Sequence, residues 1–376
     1  MQGGLGDFSR ELARALAAAH HSVHILTLAS AMDIDAHRIT ASEAGVHVHR
    51  IVPGWGWSTL SHVSRFAREH AIDVIDLQYQ AAAYQMHGAI NLLPRQLRKL
   101  PATKTFVTFH DLRVPYLFPK AGPLRWLAIL QMARGAHGVI VTNVEDEATL
   151  LRHQVKSAVI PIGSNISNHP LPGFVKSDWL ASFGVTPGTP VIGYFGFMNE
   201  SKGADVLVQA LAKLRSRQTP APVVLFIGAP LGDSDLTNVA YRNHVNGLID
   251  KLGVRPSIFQ TGYLDEVGVS RAFAACDCVA LPYRDGVSFR RGTLMAALSH
   301  ACAIVTTLPR VAIPQIKDGL NMLLTPVDDP DALAQAISRL LADPVLTDKL
   351  RTGARELSSE FQWPAIARNT VVTFNS

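Results

Sequence analysis

The sequence predicts an α/β fold built as two doubly wound domains, on three observations. Short β-branched or apolar runs alternate with longer helical patterns along the whole chain, the pattern of βα units on parallel sheets. A length of 376 residues suits two domains better than one. A stretch rich in Gly, Pro, Ser and Asn, residues 163–173, separates two series of strands and carries no apolar periodicity.

In the first series the expected strands are 23–28, 46–52, 74–77, 105–109, 138–142 and 158–162, gathered into one sheet. The second series comprises 191–195, 223–227, 258–261, 278–281, 304–307 and 322–324. Two helical patterns follow, 331–341 and 345–360, and then a tail with Ile366, Val371 and Phe374 that is long enough to return to the first domain. The expected organisation is therefore a first domain over 1–165, a linker over 166–175, a second domain over 176–360 and a returning helix over 361–376. Open α/β sheets bind ligands outside the carboxyl ends of their strands, so function is expected in a cleft where two such ends face each other.

The start is unusual. Gly3, Gly4 and Gly6 run straight into an amphipathic helix with Phe8, Leu12, Ala15 and Leu16, whereas a glycine turn of this kind normally follows a strand. The strand before the first helix is central in a doubly wound sheet, and its neighbours would otherwise keep unpaired backbone groups. The expectation is that a first strand is missing.

Composition excludes several classes. Hydrophobic residues are 48% and charged residues 17%, which leaves too little charge for long disorder and ample material for cores. The longest charge-free runs are interrupted by Gln, Asn, His, Gly or Pro, so no bilayer span is expected. Three cysteines cannot form a disulfide framework and no leader pattern opens the chain, so a cytoplasmic protein is expected. The net charge of +5 favours anionic partners without calling for nucleic acid, and most of the excess lies in the first half.

Four constellations carry candidate chemistry. The turn at Gly4 lets backbone N–H groups approach a phosphate at a helix start. The loop from Gly196 to Gly203 places Lys202 just before a helix at the mouth of the second sheet. The segment from Pro282 to Thr293 combines Asp285, Ser288, Arg290, Arg291, Gly292 and Thr293 at a strand end that opens a helix, with Ser288 as the expected N-cap. His110 and Asp111 close a buried-looking strand of the first sheet. Three other patterns read as structural: Asp233-Ser234-Asp235 as a turn, Cys276, Cys278, Cys302 and His300 as core residues with no metal, and residues 92–104 as a surface helix or a membrane-surface patch.

The segments GGLGDFSRELARALAAAHHSVHILT, VTFHD, VIPIGSN, GYFGFMNESKGADVLVQAL and RDGVSFRRGTLMAALSHACAIVTT, in this order and spacing, resemble family 4 glycosyltransferases of the GT-B fold. The resemblance spans essentially the whole chain. It implies transfer of a sugar from a nucleotide diphosphate sugar with retention at the anomeric carbon, with no required metal or other cofactor. The implied partners are that donor and a glycan, lipid or small-molecule acceptor, with peripheral membrane contact for a lipid. By position, the resemblance puts Gly4 and Lys202 on the diphosphate, Ser288 to Thr293 on the phosphates, and Gly262, Tyr263 and Leu264 near the base, with Gly196 also among the donor-binding residues. His110 is placed in contact with the donor sugar close to the reacting carbon; Asp285, like Arg290 and Arg291, is a group of suitable charge to stand in for glutamates the family has, and with His110 it is a catalytic candidate. The chain departs from the family at three positions: Phe197 stands where an arginine is usual, and Ser288 and Ala296 stand where two glutamates are usual. These departures keep open a second reading, a catalytically impaired nucleotide-sugar-binding or scaffold protein.

Overall fold

The structure is a computed structural model and describes residues 4–29, 39–43, 45–112, 124–216, 219–228 and 236–376. The chain forms two compact units, Met1–Gly163 with Gln362–Ser376, and Ser164–Phe361.

The first unit runs α1 (Gly4–Ala18), β1 (Val23–Leu28), β2 (Ile39–Glu43), β3 (Val46–Val52), α2 (Trp57–Glu69), β4 (Val74–Tyr79), α3 (Leu93–Leu97), β5 (Lys104–Phe109), α4 (Leu124–Gly135), β6 (Gly138–Val141), α5 (Val144–Arg152) and β7 (Ala158–Val159). α1 forms because Phe8 and Leu12 recur at helical spacing and bury one stripe, with Asp7 favourable in the first turn. α5 starts where Asn143 accepts a hydrogen bond from the Asp146 N–H at 2.9 Å, and its first turn holds Glu145, Asp146 and Glu147.

The single sheet expected here is two sheets. β1, β3 and β2 form one, in the order β1-β3-β2, and β4 to β7 form the other in sequence order. Each of β1 and β4 is paired along one edge only among the described residues. β2 was not expected, because ITASE lacks an apolar run; it pairs antiparallel to β3 across a turn in which Gly45 has φ +84°. The strands expected to end at residues 142 and 162 stop at Val141 and Val159.

The second unit begins with α6 (Lys176–Ala181) and continues β8 (Val191–Phe195), α7 (Ala204–Arg215), β9 (Val223–Ile227), α8 (Leu236–Lys251), β10 (Ile258–Gln260), α9 (Glu266–Ala275), β11 (Cys278–Leu281), α10 (Gly292–Ser299), β12 (Ile304–Thr307), β13 (Leu323–Thr325), α11 (Pro330–Ala342) and α12 (Pro344–Ser358). Its strands are all parallel in the order β10-β9-β8-β11-β12-β13. Both faces are covered, so β8, β9 and β11 are buried almost throughout and read as continuous apolar runs. The order in which strands are added reverses between β8 and β11, the switch point at which doubly wound sheets open a crevice. The helices α11 and α12 begin at Asp329-Pro330 and Asp343-Pro344, where the aspartate caps and proline supplies the first helical residue.

Residues 164–173 are pinned to the second unit. Asn168 donates to the Ser299 carbonyl at 3.1 Å, and the His169 N–H donates to Ser270 Oγ at 3.1 Å. The last helix, α13 (Trp363–Asn375), belongs to the first unit, where Ile366 and Ala367 pack with Phe8, Leu12 and Ile140. Gly163 leaves room for it: a Cβ there would lie 2.8 Å from the Trp363 ring.

A histidine cluster under α2 should contribute acid sensitivity to the first unit. His24 and His49 share a hydrogen bond of 3.0 Å, and His47 and His70 lie beside them. His49 is buried, and burial together with its histidine neighbours pushes its pKa down to about 4. The unfolded chain takes up this proton near pH 6.5 and the folded chain only near 4, so stability falls as pH drops through that window, by on the order of 2–3 kcal/mol. Asp76 acts in the opposite sense, because burial raises its pKa to about 7. The test is therefore a difference: His49→Leu should flatten the loss of Tm between pH 7 and pH 4.5 relative to the parent, with Asp76 common to both. Parallel curves would remove the cluster from acid sensitivity.

Candidate functional site

In the first unit the polar groups sit on alternate residues of two paired strands. Asp76 and Gln78 share one face of β4, Thr108 and His110 share the same face at β5 and its end, and the register pairs Gln78 with Thr108. Thr108 Oγ1 donates to Asp76 at 2.9 Å, Gln78 Nε2 donates to Asp76 Oδ2 at 2.6 Å, and Gln78 Oε1 lies 2.8 Å from His110 Nε2. With the Gln78 amide nitrogen committed to Asp76, its oxygen accepts from His110 Nε2–H, which leaves Nδ1 as the imidazole's acceptor. The His110 N–H donates to the Tyr79 carbonyl, and the Phe8 ring of α1 meets the imidazole edge-on at 4.6 Å. Burial pushes the His110 pKa down to about 4, so the ring is neutral near pH 7. Gly4 opens α1 with open space around its Cα. Asp76 and Gln78 were missed in the sequence, although the alternation D-x-Q against T-x-H was the available signal.

In the second unit the loops after β8 and β11 converge at the switch point. Gly196 has φ +105°, and a Cβ there would come within 2.7 Å of Thr293 Cγ2 and 2.9 Å of Lys202 Nζ. Only glycine lets these two side chains approach this backbone. Gly203 has φ +65°, and a Cβ would run into the Pro282 carbonyl. Arg284 ties the two loops together: it donates to Asp205 at 2.7 Å, to Asp328 at 2.7 Å and to the Glu200 carbonyl at 3.1 Å.

Around this frame the structure gathers Gly196, Lys202, Asp285, Ser288, Arg290, Arg291, Gly292 and Thr293. Arg290 reaches Asp285 Oδ2 at 3.3 Å, and Arg291 makes a short ion pair with the same oxygen. Arg291 also lies over the Tyr283 ring, 5.0 Å from its centroid, while Tyr283 Oη and Thr293 Oγ1 are 2.6 Å apart. Tyr283, unremarked in the sequence, thus supports both Arg291 and the start of α10. Among the described residues, three buried polar atoms here find no partner: Asp285 Oδ1, Ser288 Oγ and Arg291 Nε. Unpaired buried groups cost free energy unless a ligand or water satisfies them.

One expectation is corrected. Ser288 does not cap the helix, because α10 begins at Gly292 with Arg291 at its N-cap position and no side-chain cap. Ser288 is instead buried in the loop. Phe197 is half exposed, with Lys202 Nζ 5.9 Å from its ring. Gly262, Tyr263 and Leu264 follow β10, two strands from β8; Gly262 bridges Gly228, and Tyr263 is 84% exposed.

Lys202 has its pKa lowered to about 8, first by burial and then by Arg291. A bound anion holds the lysine protonated, so anion affinity should fall as pH rises through 8. Calorimetry with UDP should show binding about tenfold weaker at pH 9 than at pH 7. In Lys202→Ala that dependence should disappear; its persistence would mean that another group titrates.

Among the described residues no group of three or more His, Cys, Asp or Glu side chains is arranged to hold a metal ion, and Cys276, Cys278 and Cys302 are buried free thiols. Asp233-Ser234-Asp235 lies outside the described residues. In the 92–104 segment Arg98 is committed, donating to the Gly135 and Ala136 carbonyls at 2.8 Å each. No described helix is long and apolar enough to cross a membrane.

Residues 189–343 match the family model for glycosyl transferases group 1, and residues 3–163 match that for the glycosyl transferase 4-like domain. A D-inositol 3-phosphate glycosyltransferase of Salinispora arenicola is 25% identical over 397 aligned residues, covering 96% of this chain and 84% of the relative. The same-named protein of Jonesia denitrificans is 26% identical, covering 77% of this chain and 70% of the relative. Among solved structures, sucrose-phosphate synthase from Thermosynechococcus elongatus has a TM-score of 0.73 at 22% identity, covering 99% of this chain and 93% of that one. The Anabaena protein HepE, solved with UDP-glucose, has a TM-score of 0.71 at 18% identity, covering 100% and 96%. These similarities make the fold GT-B, with two Rossmann-like domains.

Proposed function

The chain belongs to the group 1 glycosyltransferases, and from that premise we propose that it transfers a sugar from a nucleoside diphosphate sugar with retention of anomeric configuration. The observation that carries this reading is the cluster at the switch point of the second unit. Lys202, Arg290 and Arg291, the uncapped start of α10 and the unpaired Ser288 hydroxyl together suit a diphosphate. A departing nucleoside diphosphate gains negative charge as the glycosidic bond breaks, and preorganised cations and N–H donors stabilise that charge in the transition state. In this reading the protein's own cations serve the diphosphate, and no metal is needed.

Asp285 holds Arg290 and Arg291 in place, so we assign it a positioning role. His110, neutral and oriented by Gln78, supplies a hydrogen-bonding group for the donor sugar. A retaining transfer in which the acceptor enters on the face the leaving group departs from depends on such positioning more than on a protein nucleophile. The base falls to the segment around Gly262 to Leu264. For the acceptor, the relatives' name makes D-inositol 3-phosphate the first compound to test.

The experiment is incubation with UDP- and GDP-sugars, with and without D-inositol 3-phosphate, following nucleotide release and the anomeric configuration of the product by NMR. Release with one donor and an unchanged anomer is the expected result. Nucleotide binding without release from any donor would favour the impaired, binding-only reading that the missing glutamates suggest.

A further inference from the structure

The cations assigned to the diphosphate stand on two loops of the second unit, Lys202 on the one after β8 and Arg290 and Arg291 on the one after β11. β8 and β11 pair through Ile192 with Cys278 and Gly193 with Val279, so their ladder stops short of both loops. Beyond it Arg284 bridges them. Its backbone N–H donates to the Ser201 carbonyl at 2.9 Å, and its Nη1 donates to the Glu200 carbonyl at 3.1 Å. The two carbonyls that precede Lys202 are therefore both held by one residue of the facing loop. Asp285, which takes both Arg290 and Arg291, follows Arg284 directly in the chain.

The rest of the guanidinium is anchored on carboxylates. Nη2 donates to Asp205 Oδ2 at 2.7 Å and Nε to Asp328 Oδ1 at 2.7 Å, so each of its nitrogens has a protein partner. Asp205 is 5% exposed and lies in the first turn of α7, where the helix N-terminus favours a carboxylate. Its other oxygen accepts from Tyr241 Oη of α8, and the Asp205 N–H donates back to that Oη at 3.2 Å. A buried carboxylate paired on both oxygens is a fixed point, and from it the planar fork of an arginine reaches the Lys202 loop as the single ammonium of a lysine does not. Two phosphoryl groups in turn require cations at a set separation. Resting on the diphosphate reading of this cluster, we propose that Arg284 is a positioning residue: anchored on Asp205, it fixes Lys202 relative to Arg290 and Arg291, so that the two loops hold a nucleoside diphosphate as one site. Arg284 itself does not touch the nucleotide.

The test is a double-mutant cycle between Arg284→Lys and Lys202→Ala, read by isothermal titration with UDP well below the Tm of every variant. Lysine keeps a charge beside Asp205 but cannot also serve Asp328 and the Glu200 carbonyl. Arg284→Lys should weaken UDP binding about tenfold at pH 7. Adding Lys202→Ala to it should cost no more than about a further twofold, because the two changes remove the same contact. The pH profile gives a second readout. In the parent, UDP affinity falls between pH 7 and pH 9 as Lys202 loses its proton; once the loop is loosened, the lysine titrates near its ordinary value of 10.5 and this fall should disappear. A role confined to folding would lower Tm and leave UDP affinity and its pH dependence as in the parent, and that result would overturn the proposal. Should Arg284→Lys fail to fold, Arg284→Gln combined with Asp205→Asn, which leaves no charge buried, takes its place in the cycle with the same expectations. If Lys202→Ala binds UDP as the parent does, the diphosphate reading itself fails and this proposal with it. If Lys202→Ala weakens binding but its loss adds in full to that of Arg284→Lys, the positioning role alone is overturned.

Discussion

Lys202→Ala should weaken UDP binding by about ten- to a hundredfold, because a charge-assisted contact to phosphate is worth on the order of 1.5–3 kcal/mol. The lysine is half-buried with its ammonium beside Gly196, and burial lowers its pKa, so a bound anion is a favourable partner for it. Among the described residues its side chain pairs with no carboxylate, whereas Arg290 and Arg291 share Asp285. Arg291→Ala should have a comparable effect and also release Asp285, whereas Arg290→Ala, which removes the longer of the two pairings, should cost less. Isothermal titration with UDP and GDP measures all three. If all bind within about twofold of the parent, the diphosphate lies elsewhere and the proposed function loses its main support.

His110→Ala should lower turnover by about a hundredfold or more while UDP affinity stays within about twofold. The imidazole belongs to the first unit and the cation cluster to the second, so the two losses are separable. Gln78→Leu should reproduce part of the defect, since it removes the acceptor that holds His110 Nε2–H. The pH profile discriminates here as well. A His110 pKa near 4 means the ring is neutral throughout pH 6–8, so turnover should not fall as pH drops from 7.5 to 6 through protonation of this residue. Unchanged turnover in His110→Ala would remove it from the site.

The sequence alone determined the alternation of strands and helices, the division near residue 163 and the glycine turns. Local patterning controls all of these: apolar period, caps such as Asp329-Pro330, and backbone conformations that only glycine tolerates easily. It also marked His110, Lys202 and the 285–293 segment, because charged or polar residues at strand ends break an otherwise apolar pattern. Its element ends were off by a few residues, as at Val159, where pairing stops before the apolar run does.

Tertiary structure decided what pairs with what. ITASE becomes a strand because β3 offers it an edge, not because of its own composition. Ser288 reads as a cap from its residue type, yet α10 starts four residues later and leaves it buried. Asp285 reads as an acid beside two arginines, and only the fold turns both guanidinium groups onto one of its oxygens. The link from Asp76 through Gln78 to His110 joins two strands about thirty residues apart, and strand register is a long-range property that local patterns do not encode.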